Sequence, residues 1–301
     1  MIRIGVDFGG TKIEAAALDA SGQFVARVRM PNPGDYQAAL ETVRELVAEA
    51  EKQAGVSGMS IGLGVPGSLS PKTGRMRNAN SVWLNDKRLQ EDLEKALGRA
   101  VRLENDANCF ALSEALDGAA QGAEVVFGAI LGTGCGGGVV VRGATIEGVN
   151  KIGGEWGHTP LPWPSAEERA ARTCWCGRHG CLERWISGSA FGVDYEEATG
   201  EKLTGDVIVG RARAGEAAAV AALDRYIDRL GRALAVICDI IDPDVIVFGG
   251  GMSNTTELYD RVPPVVARYA FSDVFLTKIL PAKYGDSSGV RGAAWLWPLE
   301  R

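Results

Sequence analysis

Four side chains in one stretch of this sequence can hold a metal. His158, Cys174, Cys176 and Cys181 form a His-x15-Cys-x-Cys-x4-Cys pattern. Three soft thiolates within eight residues, completed by one imidazole, make a tetrahedral donor set with no open position. That set suits a structural zinc rather than a catalytic one. His179 lies inside the cluster as a rival ligand, although a surface or hydrogen-bonded role suits it better. Cys109, Cys135 and Cys238 stand in helix-like or loop contexts and read as small apolar fillers.

Three carboxylates give the metal a context. Glu155 lies three residues before His158, and Glu183 lies two residues after Cys181. A zinc that fixes its ligands therefore fixes both acids. Ionised carboxylates held on rigid backbone can accept from pairs of sugar hydroxyls. Asp106, in Asn105–Asp106–Ala107–Asn108, follows a short apolar run. A lone Asp there is commonly a helix N-cap. Beside two further acids it is also a candidate base for the proton of a reacting hydroxyl.

Three glycine loops each follow an apolar strand pattern: Asp7–Lys12 (DFGGTK), Gly132–Gly138 (GTGCGGG) and Gly249–Gly251. Glycine lets backbone N–H groups face an anion without a Cβ in the way, and a lysine or threonine adds charge or a hydroxyl. Such loops suit a nucleoside triphosphate, with tight hairpins as the plainer alternative. No G-x-x-x-x-G-K-[ST] string occurs. The two G-x-G-x-x-G matches, Gly62–Gly67 and Gly132–Gly137, are followed by turn residues and by a β-rich segment. A dinucleotide fingerprint needs a helix to open there, so that chemistry is excluded.

The elements that carry these residues read as alternating α/β. Ile2–Val6 and Ile13–Leu18 are strands around the first loop, and Tyr36–Ala54 is a helix with apolar residues at helical spacing. Met59–Val65 is a strand, Leu89, Leu93 and Leu97 mark a helix, and Val101–Leu103 leads to Asp106. Val125–Leu131, the turn Gly132–Gly138 and Val139–Arg142 then repeat the strand, glycine turn, strand plan of residues 2–18. That weak duplication predicts two domains with related cores. Residues 158–183 read as a metal-held insertion, Ala217–Ile241 as a long helix and Asp244–Phe248 as a buried strand.

At 301 residues the chain is long enough for two domains. With 46% apolar and 23% charged residues it is a globular chain, not a fibrous or disordered one. A net charge of −6 without a basic run argues against a nucleic-acid partner. Charges within the first 20 residues exclude a signal peptide, and the longest uncharged run, Val125–Val141, is short for a membrane span and holds six glycines. A cytoplasmic protein with no membrane partner is expected, its cysteines reduced.

Together these strings resemble the sugar kinases of the repressor/ORF/kinase (ROK) family across nearly the whole chain. The matching strings are GVDFGGTK at Gly5–Lys12, GVPG at Gly64–Gly67, ENDAN at Glu104–Asn108 and GTGCGGG at Gly132–Gly138. They continue with GGEWGH at Gly153–His158, CWCGRHGCLE at Cys174–Glu183 and DPDVIVFGGG at Asp242–Gly251. NANSVWLN at Asn78–Asn85, HTPLPW at His158–Trp163 and the tail Gly285–Pro298 are similar to the fructokinase (mannokinase-type) branch.

The resemblance implies an α/β, actin-like (ribonuclease-H-like) ATPase fold: two α/β domains, an interdomain cleft and a structural zinc. The small domain would be 1–106 plus a C-terminal helix near 287–301, and the large domain 107–286. Asp106 matches the catalytic base. Asn105, Glu155, His158 and Glu183 match sugar-binding positions, His158 doubling as zinc ligand with Cys174, Cys176 and Cys181. Asp7, Gly9, Gly10, Thr11, Lys12, Gly132, Thr133, Gly134, Gly249, Gly250 and Gly251 match loops around Mg-ATP. The implied reaction phosphorylates the 6-hydroxyl of a hexose, fructose giving fructose 6-phosphate. Glucokinase or N-acetylhexosamine kinase is the alternative within the family, and a non-catalytic sugar sensor the alternative outside it. Loops Asn78–Asn85 and Pro160–Trp163, with Trp83 and Trp163, are candidates for choosing the sugar. The chain opens on its first strand, so the helix-turn-helix of repressor members is not expected. A homodimer is implied by analogy.

Overall fold

A computed structural model of the chain describes residues 2–169 and 172–297. In chain order its elements are β1 (Arg3–Phe8), β2 (Lys12–Leu18), β3 (Phe24–Pro31), α1 (Tyr36–Ala54), β4 (Ile61–Val65), the short pair β5 (Ser68–Leu69) and β6 (Met76–Arg77), α2 (Leu89–Leu97), β7 (Val101–Asn105) and α3 (Asp106–Leu116). Then follow β8 (Val125–Leu131), β9 (Cys135–Val141), β10 (Ala144–Thr145), α4 (Glu183–Ile186), α5 (Gly188–Thr199), α6 (Gly205–Arg213), α7 (Ala217–Ile241), β11 (Val245–Gly249), α8 (Glu257–Tyr269), β12 (Lys278–Pro281) and α9 (Ser288–Trp295). No described helix is long and apolar enough to cross a membrane.

Two five-stranded sheets share one plan. The first runs β3-β2-β1-β4-β7 and the second β10-β9-β8-β11-β12. In the first, β1 pairs antiparallel with β2 and parallel with β4, and β4 runs parallel to β7. In the second, β11 runs parallel to β8 and β12, and β10 is antiparallel to β9. Both orders place a meander at one edge and parallel strands at the other, so the repeat seen in the glycine pattern extends to topology.

Helix α1 shows why the sequence folds locally as it does. Ala39, Leu40, Val43, Leu46, Val47 and Ala50 form its buried stripe. The Asp35 carboxylate caps its start by accepting from Ala38 N, and Gly55, at φ 67°, ends it in the left-handed region. Helix α9 lies on β1 and β4, where Gly5 and Gly62 admit its backbone. A Cβ on either glycine would collide with the carbonyl of Val290 or Ala293.

The contacts divide the chain into two compact units, one of residues 1–121, 138–153 and 286–301, the other of 122–137 and 154–285. A split at residue 106 therefore does not follow the packing. Helix α3 stays with the first unit because α9 runs along it: Gly292 abuts the Cys109 carbonyl, Ser288 Oγ donates to Glu114 at 2.7 Å, and Arg291 pairs with Asp117. Residues 298–301 of the expected C-terminal helix lie outside the described residues.

Candidate active site and metal centre

In the first unit the junction of β7 and α3 sets the acid. Asn105, not Asp106, is the N-cap: its Oδ1 accepts from Ala107 N at 2.9 Å while its Nδ2 donates to the Gly67 carbonyl at 3.1 Å. Asp106 is the first helical residue, exposed, with Oδ1 accepting from Ala107 N at 2.8 Å. Two residues before Asp106, Glu104 is buried. Burial pushes its carboxyl up to about 7, although Asn108 Nδ2 and Asn105 N donate to it.

The first glycine loop joins β1 to β2 in the same unit. Asp7 is the next-to-last residue of β1, Gly9, Gly10 and Thr11 form the turn, and Lys12 opens β2. Asn32 holds this turn, donating from Nδ2 to the Gly9 carbonyl at 2.7 Å and from N to the Thr11 carbonyl at 2.9 Å. The sequence carried no sign of that role.

In the second unit the other two loops meet. Gly250 has φ 77°, and a Cβ there would press on Leu131 and Gly132 backbone at 2.6–2.8 Å. Gly132, Thr133 and Gly251 line one cavity of about 890 Å³. Its remaining wall comes from residues the sequence did not flag, Ser189, Lys202, Arg213 and Met252 among them. The start of α5, whose Gly188 N donates to the Gly132 carbonyl at 2.7 Å, was the available signal. At the cavity rim Arg213 pairs with Glu257, drawing that carboxyl down to about 2. The expected turn Gly132–Gly138 is shorter than read: Cys135–Gly138 already belong to β9, because bare glycines let Trp156 pack against Gly137 and α3 against Gly138.

The metal set converges. The ligand atoms of His158, Cys174, Cys176 and Cys181 all lie within 4.8 Å of one another. His158 Nδ1 is 3.7 Å from Cys174 Sγ, and the Cys176 and Cys181 sulfurs are 3.6 Å apart. Backbone bonds from Leu161 N to the Gly180 carbonyl and from Leu182 N to the Thr159 carbonyl lock the two segments together. Burial pushes the Cys181 thiol up to about 12. A bound cation reverses that preference by stabilising thiolate, so the donor set fits a tetrahedral soft-ligand metal. His179 is not in the set; it is exposed, its Nδ1 3.3 Å from Thr173 Oγ1.

The two acids flank this cluster. Glu155 is exposed at the start of the short turn Trp156–His158, which Trp156 Nε1 pins by donating to the Gly136 carbonyl at 2.9 Å. Glu183 opens α4; its Oε2 accepts from Cys135 N at 3.2 Å and its Oε1 from Trp175 Nε1 at 2.6 Å. The two tryptophans proposed for sugar choice are engaged in aromatic pairs: Trp83 against Phe8 at 6.0 Å and Trp163 stacked on Tyr269 at 5.2 Å.

Comparison with solved structures gives the class. A ROK hexokinase from Thermus thermophilus superposes with a TM-score of 0.87 at 34% identity, covering 98% of this chain and 97% of that one. A ROK family glucokinase from Streptomyces griseus, solved with glucose and AMPPNP, gives 0.80 at 28% identity, covering 98% and 99%. The architecture is that of the ROK sugar kinases, α/β with mixed sheets. The family match is direct: it spans residues 3–300, and the chain belongs to the ROK family. The N-acetyl-D-glucosamine kinase of Vibrio cholerae serotype O1 is 42% identical over 297 residues, 97% of this chain and 98% of that protein. That of Photobacterium profundum is 41% identical over the same shares. These names do not support fructose as the particular acceptor.

Proposed function

We propose that this ROK sugar kinase transfers the γ-phosphoryl group of ATP to the 6-hydroxyl of a hexose, with fructose, giving fructose 6-phosphate, as the leading acceptor. The observation that carries the phosphoryl-transfer reading is the meeting of two glycine loops on one cavity of about 890 Å³. Phosphoryl transfer asks a protein chiefly for positioning and charge neutralisation. The turns Gly132–Gly134 and Gly249–Gly251 would lie along the phosphates, the Gly132 N–H being taken by the Gly134 carbonyl at 3.1 Å, and Thr133 would donate to the terminal one. On the first unit, Gly9, Gly10, Thr11 and Lys12 serve the same nucleotide. Asp7 would hold a magnesium-bound water, the magnesium supplying positive charge to the phosphates when bound.

Asp106 accepts the proton of the 6-hydroxyl as that oxygen attacks. Asn105, Glu155, His158 and Glu183 take the other hydroxyls. His158 turns Nδ1 to the Cys174 thiol, and its Nε2 would serve the sugar. His158, Cys174, Cys176 and Cys181 would hold a structural zinc, which would stiffen the loop carrying both acids. The actin-like ATPase reading is supported by the shared order of the two sheets.

Fructose rests on the three branch segments Asn78–Asn85, His158–Trp163 and Gly285–Pro298. A second acceptor, N-acetyl-D-glucosamine, is favoured by the named relatives at 41–42% identity. An ADP-release assay over fructose, mannose, glucose and N-acetyl-D-glucosamine under one set of conditions decides. Highest kcat/KM on fructose supports the branch reading, and highest on N-acetyl-D-glucosamine replaces it. Hexose binding with no ADP release from any of the four would leave a sugar sensor. Light scattering tests the homodimer.

A further inference from the structure

Trp175 sits between two cysteines of the metal set and takes no part in it. Its indole Nε1 donates to Glu183 Oε1 at 2.6 Å, while the other carboxylate oxygen accepts from Cys135 N at 3.2 Å. The carboxylate is thus held from one side by β9 backbone and from the other by an indole. The same ring meets His158 edge-on, with centroids 5.1 Å apart and planes at 83°. Yet Trp175 is 62% exposed. Its polar atom is already satisfied inside the protein, so the part that meets solvent is an apolar ring face beside a carboxylate and an imidazole. A hexose ring has the complementary form: hydroxyls around its rim and a C–H face. Aromatic rings with one polar tip suit such mixed surfaces.

We infer that Trp175 is a positioning residue of the hexose site: its N–H fixes the rotamer of Glu183, and its open face is the wall against which the C–H face of the sugar rests. The inference rests on the assignment of Glu183 to the sugar. It gives this chain a specificity element on the metal loop itself, where the ring covers the sugar next to the hydroxyls that Glu183 and His158 take. An acceptor with a bulky substituent at that edge meets the indole, whereas a bare hydroxyl does not.

The test compares Trp175→Phe, Trp175→Ala and Glu183→Gln with the wild type, using D-fructose and N-acetyl-D-glucosamine as probes. Trp175→Phe keeps a ring and removes the N–H. It should raise the hexose KM about ten-fold, as expected for losing one hydrogen bond to a charged group. Its KM for ATP and its bound zinc should match the wild type. Trp175→Ala should raise the hexose KM further. In the wild type, hexose should protect a tryptophan from iodide quenching, and that protection should vanish in both Trp175 variants. A hexose KM in Trp175→Phe within about two-fold of wild type, while Glu183→Gln raises it, overturns the positioning role. A KM rise accompanied by loss of zinc also overturns it, because the residue then only braces the metal loop. Unchanged KM in Glu183→Gln removes Glu183 from the sugar and the N–H role with it. Absence of hexose protection in the wild type removes the wall, whichever variants fold.

Discussion

Replacing Glu104 with Gln should stabilise the protein, and only on the alkaline side. Glu104 is the next-to-last residue of its strand, one residue before the cap of α3, and is 8% exposed. Its Oε1 accepts from Asn105 N at 2.8 Å and Asn108 Nδ2 at 3.0 Å, and its Oε2 from Thr145 Oγ1 at 3.4 Å. Burial is the largest influence on it, the Glu147 carboxylate adds to that, and Lys151 and the two N–H donors subtract; the carboxyl rises from 4.5 to about 7. The folded state therefore holds this proton more tightly than the unfolded chain does. Its contribution to stability is fully present below about pH 4.5 and is lost as pH rises through about 7. Above that, the ionised group costs the fold up to about 3 kcal/mol. Glutamine keeps the acceptor for both N–H donors and turns an amide toward the Thr145 hydroxyl, which can accept. Urea unfolding should show Glu104→Gln more stable than wild type by about 1–3 kcal/mol near pH 8 and equal to it near pH 4.5. Equal stability near pH 8, or the same gain at both pH values, refutes the buried-carboxyl argument.

Asp106→Asn keeps size and hydrogen bonding but removes the base, so kcat should fall by about 10²–10⁴-fold while hexose binding, read by calorimetry, survives. Turnover close to wild type would take Asp106 out of that role. Purified protein should carry about one zinc per chain by metal analysis. Cys176→Ser should lower that content and depress the melting temperature by on the order of 5 °C, because metal binding to a folded site is folding free energy. It should also raise the hexose KM, since the same loop carries Glu183. Active, unchelated protein without zinc would end the metal assignment.

Much of the frame was legible because single residue types carry strong local meaning. The helices Tyr36–Ala54 and Ala217–Ile241 begin and end where apolar periodicity placed them. The His and Cys set converged because short loops closed by backbone pairing leave few alternatives. Residues whose roles come from distant chain were not legible. Arg229 and Arg232 lie one turn apart on α7, and arginines on a helix ordinarily face solvent, yet they are 6% and 4% exposed. Glu168 of the insertion pairs with both, and Asp194 of α5 with Arg229. Against the burial that would raise it, Arg229 and Arg225 hold Asp194 below the usual carboxylate range. Neither partner is near α7 in sequence, so no periodicity could announce the network.

The same distinction bears on the sugar. Asn78–Asn85 closes on itself: Asn85 Oδ1 accepts from Ala79 N at 3.0 Å and its Nδ2 donates to the Ala79 carbonyl at 3.1 Å, while Trp83 tilts against Phe8. This loop also presses on Gly67, whose carbonyl accepts from Asn105. Pro160–Trp163 is held by Arg232, which donates to the carbonyls of Pro162 and Trp163 at 2.9 and 2.8 Å. In both segments the residues that resemble the fructokinase branch are engaged chiefly in holding backbone. They support the acids at one remove, and a segment built for support can be shared by kinases of different sugars. Trp175 differs because its N–H is fixed on Glu183, one of the acids assigned to the sugar. A substitution at Trp175 should therefore move the ratio of kcat/KM between fructose and N-acetyl-D-glucosamine. A substitution at Trp163, stacked on Tyr269, should change stability and leave that ratio where it was.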